Sequence, residues 1–399
     1  MAYVPSYLVI TQVFLPVKGG SATWFAEVYR RISGKQTHIV TEDVPGAAEY
    51  DATSLNSIHR LLLRRYGWLI PESLIIYLKL LGKSVRLALG HDLDAIHAGR
   101  VLPEGLVGWL VARLKRRPLV IYAHGEEITT WRQPVKFNFM VFTYQRADYI
   151  IANSEFTRDE LIKLGIIPKK ITIIYPGVDI EHFQPGLEVL DLRRSIGLLE
   201  NQALILSVGR LQRRKGFDQV VRALPRLLRS GIDVHHVIIG IGEDREYLTS
   251  LSQELGVAHR VHLLGQVSAK ELPRWYNAAD VFAMPNREVN NDTEGFGLVF
   301  LEAAACDKPV LAGNVGGTGA AVVHGVTGLR VNGNCIEEVA AGLIKLLTDK
   351  TLAEKMGTKG YHRAREEFSW EIVANKSLQL SGFFGSCSRS SYESRRKHP

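Results

Sequence analysis

ALILSVGRLQRRKGF, residues 203–217, reads as one β-strand handing over to one helix through a glycine turn. Ala203–Val208 is an apolar run of strand length, Gly209 lets the backbone reverse, and a segment of helical period opens after Lys215-Gly216-Phe217. A strand that passes directly into a helix is the repeating unit of a parallel sheet covered by helices on both faces. The alternation extends outward in both directions. Downstream, His235–Ile239, Val261–Leu264, Val281–Ala283, Val310–Ala312 and Gly328–Val331 predict further strands. Upstream, so do Tyr7–Phe14, His38–Thr41, Ala95–Ala98, Leu119–Tyr122, Tyr149–Ala152 and Ile171–Ile174. The Pro- and Gly-rich stretch from Tyr175 to Gly186 breaks the series and predicts a linker. A chain of 399 residues also exceeds one ordinary core. The fold class expected is therefore α/β, with two Rossmann-like doubly wound domains over 1–185 and 186–370, facing each other across a cleft. Such sheets bind ligands beyond the carboxyl ends of their strands, which places the expected site in that cleft. The polar, basic tail 386–399 is expected to be disordered.

A composition of 46% hydrophobic and 23% charged residues is that of a globular protein, not of a disordered or fibrous one. The formal net charge of +8 suits an anionic partner: a nucleotide, a phosphorylated substrate, nucleic acid or an acidic membrane surface. The basic residues concentrate in the first half, where Arg60, Arg64, Arg65, Lys79, Lys83 and Arg86 are followed by Arg100, Arg113, Lys115, Arg116 and Arg117. The three cysteines, Cys306, Cys335 and Cys387, form no CxxC pair, and no His cluster has metal-ligand spacing, so neither a disulfide framework nor a zinc site is indicated. No run approaches the length of a spanning helix and no signal-peptide pattern opens the chain. A cytoplasmic enzyme is expected, with peripheral contact on an anionic membrane through the basic N-terminal domain as an open alternative.

Two segments carry the chemistry. Gly209 and Arg210 to Lys215 put two cations at the carboxyl end of one strand, the arrangement a diphosphate leaving group needs: Arg as a bidentate fork, Lys as a compact charge. Arg210, Arg213, Arg214 and Lys215 read equally well as a solvated basic loop. Glu294-Gly295-Phe296-Gly297-Leu298, leading to Glu302, favours the first reading. Its glycine-flanked loop enters a helix, whose free N–H groups and dipole can meet phosphate or sugar hydroxyls. Glu294 is then placed to accept from sugar hydroxyls and Glu302 from those of ribose, across roughly the length of a sugar nucleotide. Pro16-Val17-Lys18-Gly19-Gly20-Ser21 makes a glycine-rich helix entry after the first strand. His124 follows a buried strand and faces the expected cleft, though a histidine there is as readily a hydrogen-bonded structural residue.

SVGRLQRRKGFD, EGFGLVFLEAAACDKPVLAGNVGG and HGVTGLRV together resemble the glycogen-synthase-like family four of retaining glycosyltransferases, which have the GT-B fold. MPNREVNNDTEGFG further resembles its bacterial mannosyltransferase branch. The resemblance implies a hexosyltransferase using a nucleotide-diphosphate sugar, GDP-mannose or a UDP-sugar, with no metal and no cofactor. A hydroxyl of a glycan, a lipid-linked molecule or a small molecule would be the acceptor. It implies that Arg210 and Lys215 bind phosphate, that Glu294 and Glu302 form the paired-glutamate element, and that Gly19 and Gly20 approach the donor phosphates. It also implies that His124 contacts the donor sugar, that the main chain near Gln266 and Val267 holds the base, and that a helix over 371–385 returns to the N-terminal domain. One departure is clear. The family's Gly-Gly-x-Pro-Glu turn reads Gly316-Gly317-Thr318-Gly319-Ala320 here, which predicts a looser loop in which Gly317 and Thr318 offer backbone donors to the diphosphate.

Asp92-Leu93-Asp94 has the form of a metal-binding DxD but runs straight into a strand, and is expected to be a structural turn. Gly240-Ile241-Gly242 begins a dinucleotide fingerprint that Arg245 spoils. No nucleic-acid module is evident, and the sequence does not set an oligomeric state. A sugar-nucleotide epimerase, a phosphorylase of the same fold and a non-catalytic nucleotide-binding protein remain the competing functions.

Overall fold

A computed structural model describes residues 4–63, 74–199 and 201–380. The expected tail at 386–399, the end of the 371–385 helix, and Arg64 and Arg65 of the basic cluster lie outside these residues. The chain divides into two compact units, Met1–Pro176 with Trp370–Pro399, and Gly177–Ser369.

The first unit holds a seven-stranded sheet built from β1 (Tyr7–Ile10), β2 (Thr37–Glu42), β3 (Ser57–Leu61), β4 (Ala95–Ala98), β5 (Leu119–Ala123), β6 (Tyr149–Ala152) and β7 (Ile171–Ile173). Its order is β3-β2-β1-β4-β5-β6-β7, parallel throughout. The central strands are wholly buried, as near-continuous apolar runs in a two-faced parallel sheet must be. The sequence reading missed β3. Its SIHRL pattern is half-buried along its length, because an edge strand carries polar side chains and loses the apolar signature.

Two apolar cores lie in this unit. One packs the helices Leu74–Gly90, Leu106–Lys115 and Pro134–Arg146 onto the sheet through Ile76, Leu80, Val107, Val111 and Met140. The other gathers Trp24, Phe25 and Tyr29 of the helix Gly20–Ile32 with Trp370 and Val373. Residues 370–380 are helical and belong to this unit, with Arg31 Nε held 2.8 Å from Glu371 Oε1.

The second unit holds β8 (Ala203–Val208), β9 (Val234–Ile239), β10 (Val261–Gly265), β11 (Val281–Met284), β12 (Val310–Gly313) and β13 (Gly328–Val331), in the order β10-β9-β8-β11-β12-β13. Both sheets thus share one winding, and strand order reverses between β1 and β4 and again between β8 and β11. The second unit starts at Gly177, ahead of the 185/186 boundary read from sequence. The reason is local pairing: Val178 N–H donates to Phe368 O at 2.8 Å, and Phe183 sets its ring against Tyr276. The Pro/Gly stretch is therefore already part of the second unit.

Candidate active site

In the second unit the site grows from the two loops that leave β8 and β11, the strands flanking the switch point. After β8 the chain turns at Gly209, makes a short turn over Arg213–Lys215, and enters the helix Phe217–Arg229 at Gly216. Gly216 has φ +74°, and a Cβ there would drive into the Pro285 carbonyl at the end of β11. Only glycine allows the two loops to touch at this point. Lys215 folds back over Gly209 and pairs with Glu294 Oε2, and Arg214 Nη1 reaches the same oxygen at 2.9 Å. Arg214 Nε also lies 3.0 Å from Asp292 Oδ2.

Burial opposes charge on Glu294, yet the Lys215 and Arg214 cations and their hydrogen bonds outweigh it and hold the carboxyl down at about 2. Burial in turn pulls the Lys215 ammonium below its ordinary value, against Glu294. The result is a desolvated, ionised carboxylate clamped by two cations at the carboxyl end of a parallel sheet.

The pairing differs from the one read in the sequence. Lys215 is joined by Arg214, while Arg210 stays exposed and makes no hydrogen bond or ion pair with any described residue. The short turn explains the choice: it sends Arg213 outward onto the Tyr247 ring and Asp244, and Arg214 and Lys215 inward. Asp292 was missed as well, since only the folded loop shows that it faces Arg214.

Gly295, Phe296 and Gly297 lead into the helix Leu298–Ala305, with Gly297 in the left-handed region at φ +92° and Phe296 buried against Phe368. Glu302 sits in this helix and accepts from the Tyr276 hydroxyl at 2.7 Å. Burial pushes its carboxyl up to about 7, with the Tyr276 bond opposing the shift. Glu294 and Glu302 thus sit in opposite electrostatic settings. Gln266 and Val267 lie in the link from β10 to the helix Glu271–Ala278, where Ser268 N–H and Oγ donate to Glu271 Oε2.

The Gly316–Gly319 loop is not loose. Gly317 N–H donates to Glu294 O at 2.8 Å, and Thr318 Oγ1 donates to Gly313 O at 2.8 Å. The Gly317 donor expected for a diphosphate is therefore already engaged in fixing the backbone of Glu294.

In the first unit, Gly19 and Gly20 open the helix Gly20–Ile32 beyond β1, and a methyl group at Gly19 would meet nothing within 4 Å. His124 follows β5. Its Nε2 lies 2.8 Å from Gly99 O, so that nitrogen carries the proton, and Nδ1 faces Ser21 Oγ at 3.4 Å. Burial pulls the imidazole below its ordinary value, against the pull of Glu127, and so favours its neutral form. Its backbone N–H donates to Glu127 Oε1, which also accepts from the Tyr144 hydroxyl. Ser21 and Glu127 were not read from sequence, because contacts between loops after different strands leave no spacing to recognise.

Asp92 and Asp94 precede β4, at the opposite end of the sheet from His124. Asp92 pairs with Arg117 at 2.7 Å, and Asp94 accepts from Ser6 N–H at 2.7 Å. Among the described residues no group of three or more His, Cys, Asp or Glu side chains is arranged to hold a metal ion.

Residues 18–182 match the family model described as Glycosyltransferase Family 4, and residues 189–363 match that of Glycosyl transferases group 1. The GDP-mannose-dependent alpha-(1-6)-phosphatidylinositol monomannoside mannosyltransferase of Mycolicibacterium smegmatis is 32% identical over 94% of this chain and 97% of its own. The D-inositol 3-phosphate glycosyltransferase of Thermobifida fusca is 31% identical over 90% of this chain and 87% of its own. Among solved structures, Anabaena Alr3699/HepE in complex with UDP superposes with a TM-score of 0.81 at 22% identity, covering 94% of this chain and 99% of that one.

Proposed function

The chain belongs to the group 1 glycosyl transferases of glycosyltransferase family 4, and from that premise we propose that it moves mannose from GDP-mannose to a hydroxyl of a lipid-linked or polyol acceptor, with retention of anomeric configuration and without a metal. The GDP-mannose-dependent relative supports the donor, and the phosphatidylinositol and inositol phosphate relatives support the acceptor class. The observation that carries the reading is the clamp of Lys215 and Arg214 on Glu294 beside the exposed Arg210, at the switch point between β8 and β11.

Arg210 has an uncompensated charge for the diphosphate, while Lys215 and Arg214 shift part of theirs from Glu294 to phosphate oxygens as negative charge develops there. Glu294, ionised at every working pH, accepts hydrogen bonds from hydroxyls of the transferred sugar. Glu302 accepts from ribose hydroxyls. The acceptor oxygen bonds to the anomeric carbon on the face from which the diphosphate oxygen departs, and the departing phosphate takes the acceptor proton. The neutral His124, with Nε2–H committed to Gly99 O, offers Nδ1 to the hydroxyl side of the donor sugar. The acceptor is met at an anionic membrane surface, a location supported by the cationic character of the first unit.

A thermal-shift series with GDP-mannose, UDP-glucose and ADP-glucose, followed by NMR of the product's anomeric proton with and without EDTA, tests this. Stabilisation by GDP-mannose above the others and an α-linked, EDTA-insensitive product are expected. Selective stabilisation by a UDP-sugar, or an inverted product, overturns it.

A further inference from the structure

Arg287 sits just beyond β11, in the MPNREVNNDTEGFG stretch that runs to Glu294. It is 8% exposed, and arginine is rarely so buried unless it is paired. Its Nη2 donates to Asp218 Oδ2 at 2.8 Å, and Asp218 is itself 4% exposed. A second tie runs through the backbone, where Arg287 N–H donates to Arg214 O at 2.8 Å. Asp218 lies in the first turn of the helix Phe217–Arg229. Residue 287 therefore grips the loop after β8 on both sides of Lys215, at the carbonyl just before it and at a carboxylate on the helix just after it. Between the two ties, Gly216 lies against the Pro285 carbonyl.

The preceding residue braces the opposite side. Asn286 is buried; its Oδ1 accepts from Gly313 N–H at 3.0 Å and its Nδ2 donates to Val315 O at 3.3 Å, which ties the β11 loop to the segment after β12. That segment reaches Gly317, whose N–H holds the Glu294 carbonyl. Cations and carboxylate of the clamp thus both hang from two consecutive residues. Stability alone does not explain a charged pair at this place. Two desolvated ions regain through attraction little more than they lose in hydration, and an apolar pair of similar volume often serves as well. What the ion pair supplies is direction, because a planar guanidinium holds a carboxylate in one orientation and packed methyl groups do not. Tyr247 shares the anchor: its hydroxyl donates to Asp218 Oδ2 at 3.4 Å and accepts from Arg222 Nη2 at 3.0 Å, while its ring carries Arg213. The outward and the inward members of the basic turn are oriented from one buried carboxylate.

We propose that Arg287, acting through Asp218, is a positioning residue that holds Lys215 and Arg214 against Glu294 in the geometry the donor diphosphate meets. The inference rests on the transferase reading for the ligand of the clamp, and not for the brace itself.

Replacing both members of the pair, Arg287→Met with Asp218→Leu, tests it without leaving a lone charge buried. Two quantities are measured on the full chain: affinity for guanosine diphosphate and for uridine diphosphate by titration calorimetry, and the rate at which acetic anhydride acetylates each lysine, read by peptide mass spectrometry. The Lys215 side chain is 11% exposed and should react slowly in the parent. In the paired variant its rate should rise severalfold while that of Lys308, half-buried in the same unit, stays at the parent value. Nucleotide affinity should weaken by roughly tenfold to a hundredfold, the scale of one charge-assisted hydrogen bond lost. In a Lys215→Ala background the same paired change should cost no more than about twofold, because the group it positions is gone. Arg287→Lys, which keeps the charge and loses the planar fork, should fall between parent and paired variant. Parent-like Lys215 reactivity or affinity in the paired variant, a rise at Lys308 equal to that at Lys215 in both variants, or the full loss of affinity in the Lys215→Ala background overturns the proposal. A parent that binds neither nucleotide counts against the transferase reading alone, since the acetylation rates still decide the brace.

Discussion

Glu294 and the cations around it define the chemistry at the scale of single residues. A carboxylate with two hydrogen-bonded cations in a dry setting is committed to its charge, so truncating one cation acts both on the donor phosphate and on Glu294. Lys215→Ala is expected to lower kcat by about 10² to 10³, the scale for losing one preorganised donor to developing charge. Arg214→Ala should fall in the same range. Arg210→Ala removes a cation that has no partner among the described residues, so its loss should appear in turnover and nucleotide affinity while leaving melting temperature unchanged. Steady-state kinetics with melting curves on the three variants separate these effects; near-parental turnover in all of them removes the cluster from catalysis. The same geometry has a pH signature. Folding depresses the Glu294 carboxyl to about 2 from roughly 4.3 in the unfolded chain. Its stabilising contribution is therefore complete above the unfolded value and is lost as pH falls toward 2. Glu294→Gln should be less stable than the parent at pH 7, and the gap should narrow between pH 4 and pH 2 in denaturant titrations. A constant gap would mean that the pair does not act through charge.

The loops between elements decide where those residues point, and here a backbone contact matters more than any side chain. Gly216 lets the loop after β8 lie against the Pro285 carbonyl at the end of β11, and the helix after Lys215 starts from that position. Gly216→Ala combines a positive φ with a clash against backbone, which cannot rotate away. A loss of stability on the order of 2 kcal/mol is expected. Because Lys215 is the preceding residue, activity should fall further than the stability change explains. Activity equal to the parent at a temperature where both proteins are folded would show that this contact does not position Lys215. The contact also marks the limit of what could be read in advance. The buried parallel strands were legible because their apolar runs are continuous, and the glycine turn after Val208 was legible because a strand and a helix flank it. Which of Arg210, Arg213 and Arg214 turns toward Glu294 was not legible, since a short turn in a basic run fixes direction only through its neighbours, Tyr247, Asp244 and Asp292. The engagement of Gly317 by the Glu294 carbonyl was hidden for the same reason: it is a backbone bond between loops far apart in sequence.

For the whole molecule, chain order and folding unit do not coincide. Trp370 follows the entire second unit in sequence, yet it is buried with Trp24, Phe25 and Tyr29 in the core of the first. The first unit can complete that core only after the rest of the chain has been made. Trp370→Ala opens a large cavity in this core and is expected to destabilise the first unit by about 3 to 5 kcal/mol. The second unit holds the candidate nucleotide site and has its own core, so guanosine diphosphate, which acts by mass action on the state it binds, should raise only the melting transition of that unit. Calorimetry on parent and variant, with and without the nucleotide, therefore assigns the transitions: the one moved by Trp370→Ala should be the one the nucleotide leaves in place. If both perturbations move the same transition, the last helix stabilises the two units as one cooperative body, and the separation of cores described here does not govern unfolding.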